Sequence, residues 1–283
     1  MAICAMMCGF DTWSEITLFA QEREPWFRRW LSLPGGIPSH DTFNRIFATL
    51  PPASLKSIFQ AWIGDIMGDD KLVGQLAVDG KALRATAKGR GANAVHMVNV
   101  WSTELGMCVG QQKVADKSNE ITAIPELLQL LELKGCLVSI DAMGTQVKIA
   151  DTILKKSGDY LLAVKDNQPS LNTEVKEQFQ AYWDKNETDV SGHGFTEQFD
   201  SEHGRKEHRR CWVLMVDESM PVCQQWKAKT IIAVQAERIE NGKGYDFVRF
   251  YISSRALDAT SALKATRAHW SVESVPQAHK FAA

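Results

Sequence analysis

No apolar run in this 283-residue sequence approaches the ~20 residues that a membrane-spanning helix needs. The opening MAICAMMCGF is apolar but short, and it lacks the basic n-region of a signal peptide. Six cysteines are present, yet no CxxC pair and no metal-ligand spacing occurs among Cys4, Cys8, Cys108, Cys136, Cys211 and Cys223. Reduced thiols in a cytoplasmic protein are the simplest reading. Neither sign of charge dominates: the net charge is −2, so any affinity for nucleic acid has to come from local basic patches. GxxxxGK[ST], GxGxxG, HExxH and GxSxG are all absent, which argues against P-loop, dinucleotide, zinc-protease and serine-hydrolase chemistry. There is no internal repeat and no low-complexity tract. What remains is an ordinary globular composition, long enough to bury a core in one large domain or in one with an appendage.

The most informative stretch is Cys136 to Gln168. Leu137, Val138 and Ile140 read as a buried strand that ends at Asp141. Val147, Ala150, Ile153 and Leu154 then share one face of a helix. Ser157-Gly158 stops that helix, with the glycine expected to take the left-handed turn. Tyr160 to Val164 is a second buried strand. Strand, helix and strand joined by short connections make a right-handed βαβ unit with parallel neighbours, and ligands bind beyond the carboxyl ends of such strands. Asp141 lies there after the first strand, and Lys165, Asn167 and Gln168 lie there after the second.

Before this unit, Leu76-Ala77-Val78 reads as a short strand ending at Asp79-Gly80. A basic stretch with Lys81, Arg84, Lys88 and Arg90 follows. Strands at 95–101 and 107–114 come next, and then a helix through Ile121, Ile124, Leu127 and Leu131. After the unit come a helix over 170–183, strand patterns within 195–252 around the charged run EHGRKEHRR, and a last helix from Asp258 toward Glu273. The order predicts an α/β sheet with an antiparallel start and a parallel finish. Residues 1–66 read as helical: Trp13, Ile16, Thr17 and Ala20 share a face, as do Phe43, Ile46, Phe47 and Leu50, and Leu55, Ile58, Phe59 and Trp62 form a further set. Ser39 is the expected N-cap before His40. This module is either a DNA-reading helix-turn-helix or helical packing without base contact.

Three acids stand out by position. Asp79 and Asp141 follow strands, and Glu273 shares a helical stripe with Ala262, Thr266 and Trp270. Converging carboxylates are hard ligands that suit Mg²⁺ or Mn²⁺, and two such ions serve in-line displacement at phosphorus. Each acid also has a plainer reading. Asp79-Gly80 suits a type I′ hairpin turn, Asp141 suits a helix N-cap, and Glu273 suits a pair with His269 or solvent. Arg205, Lys206, Arg209 and Arg210, among Glu202 and Glu207, are either a mixed-charge exposed hairpin or a set of phosphate contacts.

The phrases GIPSHDTFNRIF, LAVDGKALR, DKSNEITAIPELL, SIDAMGTQVKIADTILKKSGDYLLAVKDNQ, EHGRKEHR and RAHWSVE run in order along nearly the whole chain. Together they resemble the H-repeat-associated (ISAs-type) insertion-sequence transposases, which carry a DDE catalytic domain. The resemblance implies an α/β, RNase H-like mixed sheet with flanking helices and a strand-rich insertion at about 190–253, in a catalytic domain over 71–283 behind an N-terminal helical module over 1–70. It implies a metal triad of Asp79, Asp141 and Glu273 holding two Mg²⁺ or Mn²⁺ ions. The activity implied is DNA cleavage and strand transfer, with element ends and target DNA as partners, in a homodimer. The positions read as DNA-contacting are Lys81, Arg84, Lys165, Asn167, Gln168, His203, Arg205, Arg209, Arg210 and His269. Family members begin earlier and continue past the HWxxE phrase. A copy shortened at both ends is therefore expected, with Pro276 leaving Glu273 in a fraying last turn and with weak strand transfer. The rival readings are a catalytically inactive DNA-binding remnant and a nuclease that cuts without joining.

Overall fold

Among the described residues, nine strands form one sheet in the computed structural model, in the order β3-β2-β1-β4-β5-β9-β8-β7-β6. The structure describes residues 1–10, 12–51, 54, 57–58, 61, 74–83, 95–114, 120–185, 194–202, 205–240 and 243–274. The chain divides into two compact units, Met1–Gly68 with Ser274–Ala283, and Asp69–Glu273.

The first unit contains α1 (Ala2–Met7), α2 (Trp13–Glu22), α3 (Glu24–Phe27) and α4 (His40–Thr49). Thr12 and Glu15 cap α2 reciprocally, each side chain taking the other's backbone N–H. Ser39 caps α4 as expected, accepting the Thr42 N–H at 3.3 Å. Ala2, Ala5, Ile16 and Phe43 form the core, and Trp13 stacks on Phe43 and leans on Phe47. Ile46, expected on the buried face, is exposed. The set from Leu55 to Trp62 falls mostly outside the described residues.

The second unit runs β1 (Gln75–Leu83), β2 (Val95–Ser102), β3 (Met107–Val114), α5 (Glu120–Gln129), β4 (Leu137–Ile140), α6 (Val147–Lys155), β5 (Asp159–Val164) and α7 (Pro169–Lys185). It continues through β6 (Phe195–Glu202), β7 (Arg205–Met215), α8 (Pro221–Gln225), β8 (Thr230–Glu240), β9 (Lys243–Ser253) and α9 (Ala259–Ser274). β1, β2 and β3 pair antiparallel, while β1, β4 and β5 pair parallel. The strand-rich segment extends the same sheet: β9 pairs antiparallel with β5 and carries β8, β7 and β6 outward. No described helix is long and apolar enough to cross a membrane.

Two local expectations are corrected. The left-handed residue after α6 is Ser157, with φ 58°. Gly158 is needed for closeness instead, since a Cβ there would lie 3.0 Å from the Leu133 carbonyl oxygen. The buried face of α6 is Ile149, Ala150 and Ile153, and Val147 is exposed.

Above the sheet, Leu137, Leu161, Ile232, Val234 and Tyr251 pack against Ala259, Ala262, Leu263 and Ala265 of α9. Asp258 starts this helix by accepting the Ser261 N–H at 2.9 Å, an N-cap that holds its carboxyl below the usual range.

Candidate active site

Asp79 does not end a strand, nor does it sit in a hairpin turn. β1 runs four residues past it, and Asp79 lies opposite Asn99 of β2. The Asp-Gly-Lys sequence stays extended in its pairing with β2, Asp79 opposite Asn99 and Gly80 opposite Val98, and a Cβ on Gly80 would run into the carboxylate of Glu120, which is buried at the start of α5. On its other edge β1 pairs in parallel with β4, Ala77 with Ser139 and Val78 with Ile140. The next position on each chain is Asp79 and Asp141. The two acids therefore occupy equivalent positions on neighbouring parallel strands, whose spacing is about 4.8 Å, and their side chains leave the sheet on the face that α9 covers.

Asp141 realises its capping role and keeps its place at the site. Its Oδ1 accepts the Gly144 N–H at 3.2 Å, capping the 3₁₀ turn Ala142–Gly144, and the residue lines a cleft beside Ala163, Lys165 and Trp270. The loop behind it is fixed by two side chains from the end of β5. Asn167 Nδ2 donates to the Ala142 carbonyl at 2.7 Å, and Gln168 Nε2 donates to the Thr145 carbonyl at 2.9 Å. Both amides thus hold the Asp141 loop. Lys165 is exposed at the cleft.

Helix α9 is tied to the sheet at two depths. Gln75 Nε2 donates to the Ala265 carbonyl at 2.9 Å and to Ser139 Oγ at 2.8 Å, and His269 Nδ1 lies 3.1 Å from Ser139 Oγ. From the Gln75 level to Ser139 is two strand residues, about 6.6 Å. From Ala265 to His269 is four helical residues, about 6 Å. Helix and strands thus advance in step. One further equal step along each would come to Asp141 just past β4, Asp79 on β1 and Glu273 on α9. The backbone alone is described for Glu273, as for Lys81 and Arg205, and Arg84 and His203 lie outside the described residues. Among the described residues no group of three His, Cys, Asp or Glu side chains is gathered as a metal site.

Burial holds the His269 imidazole below its ordinary value, against the pull of the Asp141 charge. Native His269 is therefore neutral near pH 7, whereas in the unfolded chain it takes up its proton at about pH 6.5. Its contribution to stability is constant above that pH and falls as the pH drops below it. Denaturant midpoints in chelator at about pH 7.5 and about pH 5.5 should fall further on acidification for the wild type than for His269→Gln. Equal losses would contradict this.

The charged run forms the β6–β7 hairpin, and its cations are largely matched. Arg209 pairs with Asp200 at 2.7 Å and with Glu207 at 2.6 Å, and Asp200 also meets Arg267 of α9 at 3.1 Å. Arg210 pairs with Glu237 at 2.8 Å on the opposite face, where His208 meets Glu197 at 2.9 Å. The Arg209–Asp200–Arg267 chain joins the outer strands to the helix that carries Glu273. Gln75, Ser139 and Arg249, which all touch α9 or its neighbours, were not singled out in the sequence. The alternation Tyr245-Phe247-Arg249-Tyr251 along β9 was the available signal for the last.

Residues 74–280 match the family described as Transposase DDE domain, and residues 1–63 match the family described as DDE_Tnp_1-associated. A protein of Xanthobacter autotrophicus named "Uncharacterized protein in dhlA 3'region" is 36% identical over 91% of this chain and 86% of its own length. "Putative transposase YncI" of Escherichia coli O157:H7 is 38% identical over 96% of the chain and 70% of its own length. "H repeat-associated putative transposase YhhI" of Escherichia coli strain K12 is 38% identical over 96% and 73%. With the family match covering well over half of its length, this chain belongs to the DDE-domain transposases of insertion sequences.

Proposed function

We propose that the chain cleaves and joins DNA strands with a divalent-metal site made by Asp79, Asp141 and Glu273. The observation that supports this most is the register of β1 and β4, which sets Asp79 beside Asp141 on the face covered by α9. The ties of α9 to the same strands at Ala265 and His269 support carrying the match one step further, to Glu273. The strand order β3-β2-β1-β4-β5, antiparallel and then parallel, supports an RNase H-like reading of the core.

The residues present suit Mg²⁺ or Mn²⁺, because the donors are carboxylate oxygens with no thiolate among them. When bound, a pair of such ions supplies an activated water or 3′-hydroxyl and neutralises the leaving oxygen. The chain's own residues do the positioning. Gly144 fixes one oxygen of Asp141, Asn167 and Gln168 hold the loop beneath it, and Ser139 with Gln75 sets the depth of α9. Neutral His269 adds no positive charge to compete for the carboxylates. Lys165, at the cleft, is placed to meet a phosphate. The partner is DNA at element ends and target.

The test is cleavage of a supercoiled plasmid carrying the flanking ends of the coding region. Nicking and joining are expected with Mg²⁺ or Mn²⁺ and should stop on chelation. Cutting that continues in excess chelator would rule out the metal site.

A further inference from the structure

We propose that Arg249 is a binding residue for a phosphate flanking the reacting one on the DNA strand, a role that rests on the DNA-cleaving reading above. β5 and β9 pair Ala163 with Tyr251, and Asp141 occupies the neighbouring position on the continuation of β4. Asp141, Ala163 and Tyr251 thus form one row across three strands. The small side chain of Ala163 leaves the floor of the row open, and this gap is the cleft. Arg249 lies two residues along β9 on the same face. Two strand spacings across and two residues along place its backbone about 10–12 Å from that of Asp141, which suits a phosphate further along the strand rather than the reacting one.

The guanidinium is held without being neutralised. It lies 4.7 Å from the ring centroid of Phe247 and 4.7 Å from that of Trp270. Arg249 is exposed, and a guanidinium held against ring faces still has N–H groups to offer a further acceptor. Arg209, Arg210, Arg255 and Arg267 of the same unit all pair with carboxylates, whereas Arg249, among the described residues, pairs with none. Lys165 sits beside it at the end of β5, in register just beyond the Val164–Phe250 pair. A fixed, uncompensated guanidinium fits a phosphodiester oxygen, which it can meet with two parallel bonds. Holding a long side chain between two rings costs conformational freedom that mere solubility does not require.

The test measures affinity for a short labelled mixed-sequence DNA duplex in chelator, across about 50 to 200 mM salt. Arg249→Met keeps the aliphatic packing on the rings and removes the donors. It should weaken binding about tenfold and lower the log–log salt slope by about one. Arg249→Lys should keep the slope and lose part of the affinity, since the charge stays while the planar fork goes. Thermal midpoints of both should stay near that of the wild type. Unchanged affinity and slope in Arg249→Met, beside a wild type that binds and cuts DNA, would overturn the Arg249 assignment alone. A fall in thermal midpoint with no change of slope would reduce the residue to a packing role and overturn it equally. A wild type with no DNA affinity would overturn both this inference and the proposed function.

Discussion

Asp141→Asn is expected to lose DNA cleavage by about three orders of magnitude, the rate equivalent of roughly 4 kcal/mol of lost charge stabilisation, while its fold and DNA affinity persist. Asparagine keeps the shape of the side chain and one oxygen. That oxygen can still accept the Gly144 N–H, and asparagine caps as well as aspartate does. The 3₁₀ turn, the Asn167 and Gln168 contacts and the Thr145 bond to the Ala163 carbonyl at 2.6 Å should all survive. What goes is the negative charge at the carboxyl end of β4, the property a hard cation needs. The comparison is single-turnover cleavage, duplex affinity and thermal midpoint for the two proteins. A variant that cuts within a few-fold of the wild type would place the chemistry elsewhere. One that loses DNA affinity along with cleavage would make Asp141 a folding residue.

Gln75→Leu should have the second largest effect, and a different signature. Gln75 is buried, and its amide joins β4 to α9 through Ser139 and Ala265. Leucine fills the space and leaves no new orphan of consequence. The Ala265 carbonyl keeps its helical position, and Ser139 Oγ keeps His269 and the Leu76 carbonyl within reach. The expected loss of stability is about 1–2 kcal/mol. The rate should fall more than that suggests, because the tie sets how far α9 advances over the sheet and hence where Glu273 lies. A shift of about 1 Å can lower a rate on the order of 10²-fold. Cleavage down about 10- to 100-fold with duplex affinity unchanged is the expected result. Wild-type cleavage in a destabilised variant would mean that Gln75 holds the fold but not the site.

How legible each part was depended on the range of the interactions that fix it. β4, α6 and β5 could be read from local pattern, because apolar runs and a helical period lie inside one continuous stretch and the βαβ connection has one favoured hand. Asp79 was harder. Asp-Gly-Lys is turn chemistry locally, and what keeps it extended is its pairing with β2, Asp79 with Asn99 and Gly80 with Val98, partners well removed along the sequence. The stripe on α9 was read correctly at Ala262 and Thr266 and departs at Trp270. The seam buried against the sheet is Ala262, Leu263, Ala265, Thr266 and His269, which turns His269 inward to Ser139 and leaves Trp270 on the flank beside Arg249. β6 was hidden because its polar residues pair with charges on β7 rather than with apolar partners, and cross-strand charge matching leaves no hydrophobic period. Two of the three hairpin arginines read as DNA-contacting, Arg209 and Arg210, have carboxylate partners that composition alone could not assign.

The central claim is that Asp79, Asp141 and Glu273 share metal ions, and counting the ions tests it most directly. Mn²⁺ titration followed by electron paramagnetic resonance, without DNA, should show about two ions per chain in the wild type. Asp79→Asn, Asp141→Asn and Glu273→Gln should each weaken or remove binding of the same ions, with the far-ultraviolet circular dichroism unchanged. Wild-type stoichiometry and affinity in Asp79→Asn would contradict the account, since the register that places Asp79 beside Asp141 would then have no part in holding metal.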